Sequence, residues 1–285
     1  MSAGPVVVAV QSHRDQALLH RLIQRIHEGS NTVALVHHDP RGTPHGLAAG
    51  DRTILVPDPD PCDWGRLSLA QGVLRLLEEA RRMVPDFSWV LVVSGQDYPV
   101  QSLRQTEDEL AKADADAYVR WFPVPDDPRD DYHPWQARCR DRYLHRMRVP
   151  GSPKSIPWPR STPFHDGLRL YVAETWVNLS AAAVDHVLAQ RKRLPQVERY
   201  LYWCASPAEA LLPVLLVNEA DHLKIVQSHK RYIRWVEGKA NPELLGPADL
   251  PALSASGAFF ARKFDSQLTP EVLDRLDELA GQRVR

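Results

Sequence analysis

A glutamate stands in the stretch Ser206-Pro207-Ala208-Glu209, directly ahead of the apolar run that continues to Val217. Two kinds of chemistry suit it. With Ser206 as N-cap, Pro207 as the first helical residue and Glu209 as the third, the spacing is that of a capping box, in which the carboxylate serves the helix start. A carboxylate held at a helix start is also available as a general base, provided the site aims it at a sugar hydroxyl. Spacing alone does not choose between the two. Further on, Arg231, Arg234, Arg262 and Lys263 form a basic group. Surface salt bridges are the ordinary fate of such residues. A diphosphate leaving group, however, needs positive charges or a metal to take up its developing negative charge.

The metal alternative has weak support in the residues. Asp58-Pro59-Asp60 and Asp114-Ala115-Asp116 both fit a loose Asp-x-Asp pattern. Neither follows a strong buried strand, and both read as structural or incidental. In His37-His38-Asp39, neighbours on an extended chain point to opposite faces, so at most part of the cluster can meet one ion. The sequence contains no Gly-x-Gly-x-x-Gly, no Gly-x-x-x-x-Gly-Lys-Ser/Thr and no Gly-x-Ser-x-Gly. That argues against dehydrogenases, P-loop enzymes and α/β-hydrolases.

The elements that must position these residues alternate. Val6 to Val10, Thr32 to Val36, Thr53 to Val56 and Trp89 to Val93 read as strands. Leu18, Leu19, Leu22, Ile23 and Ile26 recur at helical spacing, as do the apolar residues of Leu69 to Met83. This order predicts an α/β fold with a mostly parallel central sheet flanked by helices. Ligands on such sheets bind beyond the carboxyl ends of the strands. Polar groups gather there: Gln11-Ser12-His13, Asp39, and Ser94 to Asp97. From Trp121 to Pro163 the chain is rich in proline and charge, with Trp121, Tyr132, Trp135, Tyr143 and Trp158 interspersed. This predicts a long loop region with short helices, serving either as a sugar-binding surface or as a solvated loop anchored by its aromatics. Strand character resumes over Tyr171 to Leu179 and Arg231 to Val236. Helices are expected over Ala181 to Gln190, Glu209 to Val217 and Pro270 to Gly281.

Of the 285 residues, 44% are hydrophobic and 25% charged, as in a globular protein with a full core. The formal net charge of -1 argues against a nucleic-acid partner and allows at most peripheral membrane contact. Three cysteines at wide spacing suggest free thiols in a reducing compartment. Met1 to Val10 reads as a first strand rather than a signal peptide, and no run approaches the ~20 apolar residues of a membrane span. A cytoplasmic protein is expected, and the excess of Arg over Lys hints at a GC-rich bacterial source.

Eight segments, in order, resemble the core-2/I-branching β-1,6-N-acetylglucosaminyltransferase family, which also includes the peptide O-xylosyltransferases. They are VALVHHDP (33–40), DWGRLSLAQGVLRLLEEA (63–80), WVLVVSGQDYPV (89–100), ADAYV (115–119), ETWVNLS (174–180), SPAE (206–209), RYIRW (231–235) and SGAFFARKFD (256–265). Each is weak alone, but their order and the close match of SGQDYP and the last segment are specific. The resemblance implies a GT-A-type, Rossmann-like fold in a single domain spanning 1–285. Residues 1–120 would form its nucleotide-sugar-binding half and 121–285 its acceptor-binding and catalytic half. It implies a UDP-sugar donor (GlcNAc or xylose), a hydroxyl-bearing acceptor, inversion to a β-glycoside, and neither cofactor nor divalent metal. Residue by residue, it puts the base on Glu209 and the diphosphate contacts on Arg231 and Lys263. The nucleotide would lie near Asp39 and Ser12. Asp97 and Trp176 would line the donor–acceptor junction, and Arg142 and Tyr143 would reach the acceptor. Ala208 stands where the family usually has Asp. Animal members are membrane-anchored and rich in disulfides, so this chain looks like a compact bacterial relative whose acceptor is a saccharide, a natural product or a peptide. The alternative is a nucleotide-sugar-binding subunit or sensor of the same fold that lacks catalysis.

Overall fold

A computed structural model describes residues 4–125, 134–149, 152, 154–159, 161–236 and 241–282. Met1, at the head of the expected first strand, and Tyr132 of the aromatic loop lie outside the described residues, as does the side chain of Trp135. The β-branched runs form the strands that their pattern predicts: β1 (Val6–Ser12), β2 (Thr32–His38), β3 (Thr53–Leu55) and β4 (Trp89–Ser94). The helices between them are α1 (Gln16–His27) and α2 (Leu67–Met83). Then follow β5 (Asp97–Pro99), α3 (Leu103–Ala111), β6 (Ala117–Tyr118) and β7 (Trp121–Pro123). The loop region holds α4 (Pro134–Arg140), a π turn (Asp141–His145) and the hairpin of β8 (Arg146–Arg148) and β9 (Ser155–Pro157). After it come β10 (Tyr171–Ala173), β11 (Asn178–Ser180), α5 (Ala181–Arg193), α6 (Pro195–Leu201) and α7 (Ala208–Val217). The chain ends in β12 (Ile225–Val226), β13 (Arg231–Ile233), a 3-10 turn (Pro247–Asp249), α8 (Leu250–Ala255), β14 (Phe260–Arg262) and α9 (Pro270–Gln282).

Seven strands form the main sheet in the order β12-β6-β11-β4-β1-β2-β3. Strand β11 runs antiparallel to both of its neighbours, and every other pairing in the sheet is parallel. Side chains alternate across it. Val6, Val8 and Val10 pack with Leu19, Leu22 and Ile26 of α1 on one face. Val7 and Ala9 pack with Leu74 and Leu77 of α2 and with Leu211 and Leu215 of α7 on the other. Helices therefore cover both faces, as a mostly parallel sheet requires. Strands β11 and β12, from beyond residue 120, complete the same sheet, so the two halves expected on either side of that residue share one framework.

Two expected strands come out differently. Tyr171 to Leu179 is two strands rather than one: β10 pairs with β7 outside the main sheet, while β11 enters between β4 and β6. The chain must cross from one sheet to the other at Glu174, Thr175, Trp176 and Val177, and the extended pattern breaks there. The strand expected over Arg231 to Val236 stops at Ile233, where its pairing with β14 ends. Strands β13, β14 and β5 make a three-stranded sheet, with β14 parallel to β13 and antiparallel to β5.

Candidate active site

This small sheet gathers residues that are far apart in sequence. Its register sets Arg262 opposite both Ile233 and Asp97, and Arg231 opens the outer strand. Asp97 is fully buried. Its carboxylate accepts from Arg231 Nη1 at 3.0 Å, Ser94 N at 2.9 Å and Ser94 Oγ at 3.0 Å, and Arg262 Nε lies 3.5 Å away. Arg231 Nη2 donates to the Val92 carbonyl at 2.9 Å. Both side chains of the Arg231–Asp97 pair are wholly enclosed. Burial pushes the Arg231 guanidinium down to about 10 against the pull of Asp97, so it is still a cation at neutral pH. The sequence reading expects Arg231 at a diphosphate; the structure instead commits it to Asp97, which is likewise enclosed rather than lining a pocket. Asp97 and Glu174 both act on the two guanidiniums, and the Trp176 ring packs on them, 4.1 Å from Arg262 and 5.5 Å from Arg231.

Trp176 sits on the crossing segment, and so does Glu174. Glu174 Oε2 lies 2.9 Å from His229 Nε2. Burial raises the Glu174 carboxyl, but His229, Arg120 and Arg262 outweigh burial and hold it below the usual range.

Glu209 lies close enough to feel the Glu174 charge. The expected capping box is absent. The helix begins at Ala208 with Pro207 as N-cap and no side-chain cap bond, and Ser206 takes a left-handed φ of 52°. Freed from capping, the Glu209 carboxylate turns to Arg142, whose Nη1 donates to Oε2 at 2.7 Å. Both side chains are about one-third exposed. Burial pushes the Glu209 carboxyl up; Arg142 pulls it back, and Glu174 adds to the rise. Arg142 thus meets the glutamate. Tyr143 does not reach an acceptor: it is fully buried, and its hydroxyl donates to the Ser206 carbonyl at 2.8 Å, fixing the turn that carries Glu209. The Tyr143 carbonyl in turn accepts from the Tyr200 hydroxyl at 2.6 Å.

At the carboxyl ends of β1 and β2 the polar groups are satisfied internally. His38 Nε2 donates to the Thr43 carbonyl at 2.7 Å, which leaves Nδ1 to accept from the Ser12 hydroxyl at 2.8 Å. Asp39 is buried and accepts from Arg41 N, Nε and Nη2 and from Cys62 N, all within 3.1 Å. Those Arg41 bonds hold its carboxyl far below the usual carboxylate range. His37 is buried on the opposite face, and among the described residues neither ring nitrogen has a hydrogen-bond partner. Asp116 accepts from the Lys224 backbone, and Asp114 pairs with the Lys224 ammonium, so that Asp-x-Asp stretch braces a strand start.

Lys263 follows β14 and lines a cavity of about 610 Å³ together with Arg14, Asn241, Glu243 and Asp265. Burial and the charges of Arg14 and Arg262 lower its ammonium pKa. Nothing in the residue pattern marks Glu174, His229 or Arg14 as site residues. Glu174 and His229 meet only through the break between β10 and β11, which the strand character of Tyr171 to Leu179 hides. For Arg14 the one signal is positional, its place just past the carboxyl end of β1.

This is an α/β framework with titratable groups collected along the carboxyl edge of its sheet and in the small sheet beside it. Residues 36–253 match the Core-2/I-branching enzyme family, and the chain belongs to that family. It is a glycosyltransferase by class, as its named relatives are. It is 20% identical over 301 residues to a β-1,3-galactosyl-O-glycosyl-glycoprotein β-1,6-N-acetylglucosaminyltransferase 4 of Danio rerio, covering 96% of this chain and 69% of that one. Against the enzyme of the same name from Mus musculus the identity is 21%, over 99% and 66% of the two chains. A xylosyltransferase of Ciona intestinalis is 22% identical over 75% of this chain, a match that spans only 26% of the relative. Among solved structures, 2-C-methyl-D-erythritol 4-phosphate cytidylyltransferase from Thermus thermophilus aligns over 87% of this chain and 96% of its own, at 17% identity and a TM-score of 0.34. That likeness is too loose to argue from.

Proposed function

We propose that the chain moves a sugar, GlcNAc or xylose, from a UDP-sugar to an acceptor hydroxyl with inversion at the anomeric carbon, and that it does so without a divalent metal. The observation that carries this reading is the state of Glu209. Its carboxylate caps no helix, and Arg142 occupies one oxygen, Oε2. Among the described residues Oε1 makes no hydrogen bond, which leaves it for a substrate hydroxyl. Burial moves the group toward the pH at which a carboxylate both accepts a proton and is present as the base.

In this mechanism Oε1 takes the proton of the acceptor hydroxyl as that oxygen bonds to the donor anomeric carbon. The bond from that carbon to the diphosphate breaks on the opposite face, and UDP leaves with the electron pair. An α-linked donor gives a β-glycoside. The departing negative charge meets Lys263, which stands near Arg14 and Arg262. Ser12 and Asp39 act through the loops they tie together on the nucleotide side. Metal independence is supported by the commitments of three of the acidic groups: Asp39 is taken by Arg41 and Cys62, and Asp114 and Asp116 by Lys224. All three cysteines are free, which supports a reducing compartment.

The test is UDP release from a panel of UDP-sugars with saccharide acceptors, run in excess EDTA. Turnover is expected to persist. Loss of turnover that Mn²⁺ restores would contradict the metal-free mechanism.

A further inference from the structure

Among the described residues, five aromatic side chains are exposed, and four of them lie around the turn that carries Glu209: Trp64, Trp158, Tyr202 and Trp203. Trp64, at 75%, is the most exposed large apolar side chain among the described residues. Single exposed rings are ordinary, but a group of them beside a site marks a surface that meets a ligand.

Backbone hydrogen bonds place the four. The Gly65 carbonyl, next to Trp64, accepts from Ser206 N at 3.3 Å, and the Ser206 carbonyl accepts from Glu209 N at 3.1 Å. The Trp203 carbonyl accepts at 2.7 Å from the N–H of Arg148, in β8, the strand that follows the π turn holding Arg142. Trp158 N donates at 2.9 Å to the carbonyl of His145, the last residue of that turn. Each ring therefore stands on a segment bonded either to the turn of Glu209 or to the stretch that supplies Arg142.

The rings are also held in place. Pro157 and Pro159 flank Trp158 and keep its backbone extended. Tyr202 N donates to the Glu198 carbonyl at 2.9 Å, and the Tyr202 and Trp203 rings meet edge to face, 5.1 Å apart at 88°. A ring fixed in advance loses little entropy when a ligand stacks on it. Its face carries partial negative charge, and the C–H groups on one side of a pyranose form an apolar, weakly positive surface that matches it. A membrane face would pair such rings with an aliphatic stripe, whereas Ile156 is the one exposed aliphatic side chain beside them among the described residues.

We propose that these four rings are stacking platforms for the acceptor, and that the acceptor is an oligosaccharide bound over several sugar residues with its reacting hydroxyl at Glu209. This rests on the reading of Glu209 as the base, and it narrows the acceptor from any hydroxyl compound to a glycan chain. A lone sugar at Glu209 would leave the rings unused. A chain extending from it meets Trp64 beside the Ser206 turn, or Trp203 and Trp158 along β8 and β9.

The probes are cello-, chito-, xylo- and manno-oligosaccharides of one to six residues, titrated by calorimetry into the full chain with UDP present. In the series that binds, affinity is expected to grow about a hundredfold from monosaccharide to hexasaccharide. Trp64→Ala and Trp158→Ala are each expected to weaken the hexasaccharide about tenfold and to leave the monosaccharide at its wild-type affinity. Trp158→Phe keeps a flat face and retains part of the gain. The thermal midpoints stay near the wild-type value, because exposed side chains contribute little to stability. Affinity that does not grow with length would overturn the proposal, as would variants that bind the hexasaccharide as tightly as wild type, or a chain that binds no series. Binding to phosphatidylglycerol vesicles that both variants lose, with oligosaccharide affinity intact, would assign the rings to a membrane instead. Wild-type turnover in Glu209→Gln would overturn the base reading beneath the proposal, and it leaves the dependence on chain length untouched.

Discussion

Arg142 Nη1 bonds Glu209 Oε2 at 2.7 Å, and this contact decides which oxygen of the carboxylate is left for a substrate. It also opposes the effect of burial on the glutamate. Arg142→Gln removes a positive charge that favours the ionised form, so the Glu209 pKa rises further. If the carboxylate is the base, activity climbs with pH as it loses its proton. The acid limb of the kcat/KM profile is therefore expected to move to higher pH in Arg142→Gln, with the alkaline limb in place. An acid limb that does not move would separate Arg142 from the base.

The hydroxyl of Tyr143 holds the carbonyl of Ser206 three residues before Glu209, from a position inside the core. Tyr143→Phe leaves that carbonyl without its donor and is expected to cost about 1–2 kcal/mol of stability. Because the turn aims the glutamate, kcat should fall while the KM for the donor changes little. Urea unfolding and steady-state kinetics on the same variant check both halves. A stability loss with full kcat would make the tyrosine a core residue only.

The Arg231–Asp97 pair is enclosed, so removing one member strands the charge of the other. Asp97→Asn and Arg231→Met are each expected to cost about 3–5 kcal/mol. The double variant should cost less than the sum by about 0.5–3 kcal/mol, the usual coupling between groups in contact. Denaturant midpoints of the four proteins give the coupling. Strict additivity would contradict the pairing.

The central parallel strands, the helices beside them and the family were legible because β-branched runs and helical spacing are local signals, and eight short segments kept their order. What the sequence hid was non-local or depended on a turn. The Ser206-Pro207-Ala208-Glu209 spacing fits a capping box equally well, and only the left-handed Ser206 and the bond from Arg142 show the carboxylate turned away from its own helix. Tyr143 reads equally as part of a sugar-binding surface and as an aromatic anchor, and only the π turn that drives it inward to meet Tyr200 and Ser206 decides for the anchor. Arg231 reads as a free strand cation, because its partner Asp97 is paired through a strand whose register no local pattern encodes. The order of the strands around β11 is likewise a tertiary choice, made when the chain leaves β10 and enters between β4 and β6.

Sugar transfer by this mechanism depends most on the proton-accepting oxygen of Glu209, and Glu209→Gln tests it directly. The amide keeps the size of the side chain and can still accept from Arg142, but it cannot take up a proton. Turnover of the sugar donor is expected to fall about 10²- to 10⁴-fold, with UDP affinity unchanged. A variant that binds UDP normally and turns over at near the wild-type rate would contradict the assignment.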